Sequence, residues 1–294
     1  MSKVVVIGAG WLGLPLAKQL SSRGHEVIVT KRKPEECEHF SEVQGLPAIP
    51  YQLGMAFPEE LADAEIYIIN IAPGRSTMER EQFVLDMQRL FTSCLQGKGH
   101  MLFVSTTSVY GERERTIIET SETEPLTESA LAHVELENWL QQEAKKRSTI
   151  IRLAGLLGED RNPVQHFAGK RDITAAHKVV NFVHREDVMA AIVAVIEKKH
   201  WGHVFHLCST EHPTRLAYYK WAAQQLYLKE PHFMDESKQE PSGKLVDASN
   251  TINVLGVTLK YPSPYKMIPG ASPPAPKAAE IPENPAEEAS KPEA

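Results

Sequence analysis

The stretch Val4-Val5-Val6-Ile7-Gly8-Ala9-Gly10-Trp11-Leu12-Gly13 decides how this 294-residue chain begins to fold. Its first four residues are a β-branched run, which is typical of a parallel strand buried on both faces. Three glycines follow in the spacing G-x-G-x-x-G, and a helical pattern begins directly after them. The order strand, glycine turn, helix predicts a phosphate-binding turn at the start of an α/β protein.

Each glycine has its own task in such a turn. Gly8 permits the tight turn, Gly10 allows the backbone to approach a pyrophosphate, and Gly13 allows the helix to pack against the strand. The N–H groups at the start of the helix, at Trp11 and Leu12, have no partner within the helix and attract phosphate oxygens. The pattern therefore predicts a bound dinucleotide; the alternative is a structural glycine turn that binds nothing.

The end of the second predicted strand indicates which dinucleotide is bound. In NAD-binding proteins an acidic side chain roughly 20 residues beyond the glycines bonds the ribose 2′-hydroxyl. Here the strand ends with Thr30, Lys31 and Arg32, and no acidic residue stands at that place. Cationic side chains attract a 2′-phosphate, which an arginine binds through two parallel hydrogen bonds. We therefore expect NADP(H) rather than NAD(H), the alternative being solvated loop charges.

Strands and helices alternate along the rest of the chain. Strand patterns stand at residues 26–30, 65–71, 101–105, 149–153, 179–183 and 204–207, and helical patterns at 11–23, 77–96 and 128–147. This alternation predicts an α/β fold, a Rossmann-type doubly wound parallel sheet. We expect a NAD(P)-binding domain at 1–155, then the remaining sheet strands with a small substrate lobe at 156–268. Residues 269–294, rich in Pro, Ala and Glu, are expected to be disordered.

The composition is that of a globular protein and argues against several classes of function. Hydrophobic residues make up 42% of the chain, and its formal net charge is −6. Nucleic-acid and membrane-surface proteins need basic stripes, so we expect neither partner. No apolar run reaches the roughly 20 residues that span a bilayer. The three cysteines are widely spaced, which favours a location in the reducing cytoplasm. Neither these cysteines nor the histidines near 200–212 predict a metal site.

Four further segments extend this interpretation along the chain. The segment Val104-Ser105-Thr106-Thr107-Ser108-Val109-Tyr110-Gly111 places a Ser/Thr cluster at a strand end, followed by V-Y-G. Segments 149–158, 180–188 and 202–207 follow it in order. Together these segments resemble the extended short-chain dehydrogenase/reductase family over residues 3–265. The segments at 11–17, 106–111 and 167–170 are most similar to its short, atypical, epimerase/dehydratase-like branch.

The resemblance implies a catalytic set that this chain carries only in part. In the family a Ser/Thr hydroxyl polarises the substrate, and a Tyr with a Lys four residues later exchanges the proton. Thr106 takes the first place, but Ser129 and His133 stand where the Tyr and Lys are expected. The imidazole of His133 is a candidate base, acting directly or through Ser129, and Tyr110 is another candidate acid. The alternative is a helix-surface His133 and a Ser129 that helps to start the helix.

Other contacts follow from the same resemblance. The predicted strand at 65–71, the fourth strand in the family, ends at Asn70, Ala72 and Pro73. In the family this strand end passes close to the cofactor. Lys170 and His184 are candidate substrate contacts, although Lys170 also fits the role of a plain surface cation. Family members often form homodimers through the helices that correspond to 77–96 and 128–147. The sequence leaves open whether this chain forms such a homodimer.

Functions from different classes remain open. One is an NADP(H)-dependent oxidoreductase or epimerase/dehydratase acting on a small-molecule carbonyl or sugar-like substrate with a nonstandard acid/base. The other is a non-catalytic NADP(H)-binding redox sensor or scaffold. The Thr106 cluster favours the first, and the missing Tyr-x-x-x-Lys favours the second. A 6-phosphogluconate-dehydrogenase-like reductase shares the glycine spacing but leaves V-Y-G unexplained.

Overall fold

A parallel sheet forms the centre of the protein, for which a computed structural model describes residues 1–74, 79–237, 240–271 and 273–274. The strands, in chain order, are β1 Lys3–Ile7, β2 Glu26–Lys31, β3 Ala48–Pro50, β4 Ile66–Ile69, β5 His100–Thr106, β6 Thr116–Ile117, β7 Ser148–Leu153, β8 Gly155–Leu157, β9 Phe182–His184, β10 Val204–Leu207 and β11 Leu245–Val246. Seven of them form the main sheet in the order β10-β7-β5-β4-β1-β2-β3. The predicted doubly wound α/β fold is confirmed.

Helices cover the faces of this sheet. They are α1 Gly13–Ser22, α2 Pro34–Gln44, α3 Arg80–Leu95, α4 Glu128–Glu143, α5 Arg185–Glu197, α6 Arg215–Gln225 and α7 Ser249–Leu255. The chain runs outward from β1 in one direction through β2 and β3, and in the other through β4 and β5. The strand order therefore reverses beside β1. Ligands of open parallel sheets bind at such a reversal, at the carboxyl ends of the strands.

The first strand shows why its sequence is apolar throughout. Val4 and Val6 pack into the core on one face of the sheet, whereas Val5 and Ile7 pack into the core on the other. All four side chains are almost completely buried. A strand with both faces covered buries every side chain, so a continuous β-branched run is the expected pattern.

The C-terminal lobe has a core of its own. Phe182, Tyr218 and Trp221 lie in a third buried cluster with Val164 and Met267, apart from the two clusters that flank the sheet. Aromatic pairs hold it together: the rings of Trp221 and Tyr265 meet edge to face with their centres 4.8 Å apart. The cluster includes Leu157 of β8, the strand that begins two residues after the carboxyl end of β7.

Several elements differ from the sequence-based predictions. The pattern at 179–183 was expected among the strands of the doubly wound sheet, but β9 lies at Phe182–His184 and pairs with β8 in a separate two-stranded sheet. The position beside β7 is taken by β10. The sequence reading missed α2, because Cys37 is its single buried residue and no apolar stripe marks the helix.

Two predictions concern parts of the chain at the margin of the described residues. Thr77, the expected start of a helix, is not among them, and the described helix α3 begins at Arg80. Most of the expected disordered tail, at 272 and 275–294, also lies outside the described residues. Within the described ranges, no helix is both long and apolar enough to cross a membrane.

Candidate functional site

The glycine turn is held by contacts that leave no room for a side chain at Gly8 or Gly13. Gly8 has φ +101°, and a Cβ there would lie 2.4 Å from the carbonyl oxygen of Asn70. A Cβ on Gly13 would lie 2.2 Å from the carbonyl oxygen of Gly8. The N–H of Gly8 donates to the hydroxyl of Thr30 at 3.1 Å, and the amide of Asn70 donates to the carbonyl of Gly8 at 3.2 Å. Thr30 and Asn70 therefore fix the shape of the turn.

The start of α1 presents free backbone donors to the space above this turn. Leu14 donates its N–H to the carbonyl of Gly10 at 3.0 Å, which closes the first turn. The N–H groups of Trp11, Leu12 and Gly13 have no recorded acceptor among the described residues, and no side chain caps the helix. Free donors at a helix N-terminus stabilise an anion. The turn and the helix start therefore fit the pyrophosphate of a dinucleotide.

A cavity of about 370 Å³ opens beside the turn, where β1, β2 and β4 end. Thr30, Lys31 and Arg32 all line it, and none of its lining residues in the described structure is acidic. The ammonium of Lys31 lies 4.0 Å from the carboxylate of Glu36 and 5.0 Å from the ring centre of Phe40. Arg32 is exposed and has no ion-pair partner among the described residues. The rim of this cavity is cationic.

A larger cavity of about 700 Å³ adjoins the first. Both are lined by Gly10, Asn70, Ile71 and Ala72, so they form one continuous cleft across the switch point of the sheet. Among the residues predicted from the sequence, those that line the larger cavity are Gly10, Trp11, Leu12, Asn70, Ala72, Pro73, Thr106, Ser129 and His133. The structure thus brings the glycine turn and three of the four candidate catalytic residues to one cleft.

Thr106 lies where β5 gives way to a short 3-10 turn. Its hydroxyl accepts the N–H of Ser108 and donates to the hydroxyl of Ser108, both at 3.1 Å. The ammonium of Lys244 spans both ends of the turn, since it donates to the carbonyls of Thr107 at 3.0 Å and Gly111 at 2.7 Å. Burial, with the charge of Lys178 nearby, lowers the pKa of Lys244 to about 8. Lys244 holds the turn that carries Thr106.

His133 lies inside the wall of the larger cavity, with 5% of its surface exposed. Its Nδ1 lies 2.7 Å from the carbonyl oxygen of Ser129 and donates to it, which leaves Nε2 as the acceptor. The ring stacks on Phe103 with the centres 5.8 Å apart. Burial lowers the pKa of His133, so the ring is neutral at pH 7. A neutral imidazole with a free Nε2 is able to accept a proton.

The alternative placement fails for His133 but not for Ser129, which lies in the first turn of α4. His133 is buried rather than on the helix surface, and Thr127 caps α4, since its hydroxyl accepts the N–H of Ala130 at 3.2 Å. Ser129 lies one residue inside the helix and lines the cavity. Both side chains are therefore available to the cleft.

Tyr110 is not placed as a reacting group. Its side chain is fully buried and does not line either cavity. The hydroxyl accepts from Arg152 at 2.9 Å and lies 3.0 Å from Nδ1 of His206. His206 Nε2 lies 2.7 Å from the carbonyl oxygen of Asp247, so Nδ1 is assigned as the acceptor of the Tyr110 proton. Burial raises the pKa of Tyr110, and the tyrosine belongs to the protein interior.

A buried ion pair supports the floor of the cleft. The guanidinium of Arg152 donates to both carboxylate oxygens of Glu137, the shortest contact being 2.6 Å. The hydroxyl of Ser105, which lines the larger cavity, donates to the same carboxylate at 2.5 Å. Nothing in the spacing of Glu137 and Arg152 along the sequence reveals that the two side chains lie opposite each other.

The two candidate substrate contacts lie elsewhere. Lys170 is exposed, passes over the ring of Phe167 at 5.8 Å and lines neither cavity. His184 is buried and caps α5, since its Nδ1 accepts the N–H of Glu186 at 3.3 Å. The centres of the His184 and Tyr261 rings lie 3.7 Å apart. Neither residue lines the two cavities: Lys170 faces solvent, and His184 caps a helix.

Sequence reasoning missed three polar residues of the larger cavity besides Ser105. These are Ser108, Thr127 and Arg161. Ser108 belongs to the quoted Ser/Thr cluster, and Thr127 occupies a recognisable capping position before α4, so both carried a sequence signal. Arg161 carried none, since it lies in the irregular chain after β8.

A parallel sheet with a glycine turn and a cleft at its switch point defines a dinucleotide-binding protein. The model of the NAD dependent epimerase/dehydratase family matches residues 4–208, and the chain belongs to this family. Protein YeeZ of Escherichia coli (strain K12) is 36% identical over 277 residues, which are 91% of this chain and 99% of that protein.

Two solved structures show the same fold. A functionally unknown conserved protein from Silicibacter pomeroyi has a TM-score of 0.73 at 23% identity, covering 90% of this chain and 95% of its own. UDP-glucuronic acid 4-epimerase from Bacillus cereus, solved in complex with NAD, has a TM-score of 0.71 at 18% identity. The match covers 87% of this chain and 91% of the epimerase chain. At these identities the likeness concerns the fold alone.

Proposed function

We propose that this protein is an NADP(H)-dependent oxidoreductase or epimerase/dehydratase that acts on a carbonyl or sugar-like metabolite. The observation that carries the proposal is the continuous cleft, in which the glycine turn and the Thr106, Ser129 and His133 side chains share one space. A purely structural glycine turn does not require such a cleft.

The preference for the phosphorylated cofactor rests on the charge of the smaller cavity. Lys31 and Arg32 line it, and its described lining residues include no carboxylate to accept a ribose 2′-hydroxyl. Lys31 is partly balanced by Glu36 at 4.0 Å, whereas Arg32 retains its full donor set. A free guanidinium at this rim favours a 2′-phosphate.

The chemistry uses the residues at the far side of the cleft. When bound, the cofactor supplies or accepts a hydride. The hydroxyl of Thr106 polarises the oxygen of the substrate, and His133 accepts a proton at Nε2, directly or through the hydroxyl of Ser129. Because burial lowers the pKa of His133, its neutral form is present at pH 7. In the oxidising direction this neutral ring removes a proton from the substrate hydroxyl. In the reverse direction the same Nε2, once protonated, returns that proton to the carbonyl oxygen.

One observation favours a second candidate, a non-catalytic NADP(H)-binding sensor or scaffold. The stretch 116–140 contains no tyrosine and no lysine, so the family's usual proton-exchanging pair is missing from α4. The remaining hydroxyls and the imidazole still line the cavity, which is why we place the enzyme first.

Cofactor binding followed by a substrate screen tests the proposal. Binding of NADPH and NADH is measured by titration, and a panel of carbonyl compounds is then screened for loss of NADPH absorbance. We expect NADPH to bind more tightly and at least one carbonyl to be reduced. Equal or tighter NADH binding overturns the cofactor assignment. Tight NADPH binding without turnover on a broad panel favours the sensor or scaffold instead.

A further inference from the structure

The larger cavity contains a single formal charge. Among the described residues that line it, Arg161 is the only one that carries a full charge at pH 7, since His133 is neutral. The remaining polar lining is hydroxyls and one amide, and none of the lining residues is a carboxylate. A lining with one arginine and no carboxylate favours an anionic ligand over a cationic one.

Arg161 is held at the cavity by its own loop. Gly158 and Arg161 exchange two backbone hydrogen bonds of 3.1 and 3.0 Å, which close a tight turn after β8. The guanidinium carbon lies 5.3 Å from the ring centre of Trp11. A Cβ on Gly158 would lie 2.5 Å from the same ring, so the loop packs directly against it. The stacking orients the arginine without using its hydrogen-bond donors.

No acid in the described structure neutralises this arginine through an ion pair. The nearest acid in its loop, Asp160, accepts the indole N–H of Trp11 at 2.8 Å and lies 3.9 Å from the guanidinium of Arg185. No ion pair or side-chain hydrogen bond of Arg161 is recorded among the described residues. The charge of Asp160 acts on Arg161 without a hydrogen bond or ion pair between them, so the guanidinium retains its donors for a ligand.

We propose that Arg161 binds an oxyanion, a phosphate or carboxylate, of the ligand that occupies the larger cavity. This inference rests on the proposed use of the cleft by a dinucleotide and its substrate. The oxyanion has two sources. One is the cofactor pyrophosphate, because Gly10, Trp11 and Leu12 line the same cavity. The other is an anionic group of the substrate.

The substrate class follows if the second source applies. Thr106, Ser108, Thr127 and Ser129 give the cavity several hydroxyls besides Arg161. Hydroxyls of this kind donate to and accept from the hydroxyl or carbonyl oxygens of a ligand. Together they select a small, oxygen-rich metabolite that bears a phosphate or carboxylate.

The test compares Arg161→Gln with the matched surface variant Arg171→Gln, because Arg171 is exposed and lines neither cavity. Titrations use ADP-ribose, which retains the pyrophosphate, and adenosine 2′,5′-bisphosphate, which lacks it. Inorganic phosphate and malonate are then titrated into the NADPH-saturated protein as oxyanion probes. Arg161→Lys retains the charge, and thermal melts verify that each variant is folded.

Two results support the inference and identify the source. Loss of ADP-ribose affinity by about 10- to 100-fold in Arg161→Gln, the size expected for a charge-assisted contact, with unchanged adenosine 2′,5′-bisphosphate affinity, assigns the pyrophosphate. Unchanged ADP-ribose affinity with loss of phosphate or malonate binding assigns a substrate oxyanion. In either case Arg161→Lys retains part of the affinity.

Other results overturn it. If Arg161→Gln binds all four probes as Arg171→Gln does, or if the wild-type protein binds none of them, Arg161 has no oxyanion to hold. Failure of the proposed function gives a different pattern. A wild-type protein that binds no NADPH refutes that function, while inorganic pyrophosphate titrated into the unloaded variants still decides the role of Arg161.

Discussion

The imidazole Nδ1 of His133 lies 2.7 Å from the carbonyl oxygen of Ser129, one turn earlier in α4. This contact fixes the tautomer, because a carbonyl only accepts and Nδ1 must therefore carry the proton. Nε2 is left as the acceptor on a ring that lines the cleft. The arrangement gives α4 a proton acceptor four residues after Ser129.

Replacing His133 with Gln is expected to reduce turnover by about 10²- to 10⁴-fold, the usual contribution of a positioned acid or base. NADPH affinity is expected to stay unchanged. Because the pKa of His133 is lowered, the rate of proton removal in the wild-type protein should fall on acidification only below pH ~6.5, the ordinary histidine value. Rates are measured against pH in the direction of alcohol oxidation, with NADP⁺ and the alcohol that corresponds to a carbonyl from the screen. His166→Gln, an exposed site outside the cleft, is the control.

Two glycines of the turn are expected to respond differently to alanine. A Cβ on Gly13 would meet the carbonyl of Gly8 at 2.2 Å, so Gly13→Ala should destabilise the protein and abolish NADPH binding. A Cβ on Gly10 meets nothing within 4 Å. Gly10→Ala should therefore melt like the wild type but bind NADPH weakly, because the methyl group blocks the approach of the pyrophosphate. Thermal melts and titrations measure both effects; normal NADPH affinity in Gly10→Ala would place the pyrophosphate elsewhere.

Arg32→Ala is expected to weaken NADPH binding by about 10- to 100-fold and to leave NADH binding unchanged, because a charge-assisted contact to the 2′-phosphate is lost. Lys33→Ala is the matched control, since Lys33 lies next in the chain, pairs with Glu36 at 3.3 Å and does not line the cavity. Equal losses for both cofactors in Arg32→Ala would contradict a 2′-phosphate contact.

The ion pair between Glu137 and Arg152 is expected to dominate the stability of the region below the cleft. The side chains are 2% and 7% exposed, so Glu137→Gln leaves a buried, unpaired guanidinium. We expect a loss of about 3–5 kcal/mol in the free energy of unfolding, measured in urea. The exposed pair of Arg23 and Glu197 is the control, and Arg23→Gln should cost at most about 1 kcal/mol. Similar losses in the two variants would refute this.

Much of the fold could be predicted from local pattern. The stripe of Met87, Leu90, Phe91 and Cys94 in α3 is buried as its spacing predicts. Elements without such a pattern were missed, since α2 has one buried residue and β3 has three residues in all. The strand at 179–183 had the right composition, but its partner is set by the path of β8, which composition does not encode.

The sequence by itself determined the glycine turn, the strand-helix alternation and the residues Thr106, Ser129 and His133 as a candidate set. These depend on local conformation and on positions in a known order along the chain, which a linear pattern records. Only the tertiary structure decided which side chains share the cleft. In it Arg161 lines the larger cavity, whereas Tyr110, Lys170 and His184 line neither cavity. Burial and proximity between residues far apart in the chain arise from packing, and no spacing along the sequence encodes them.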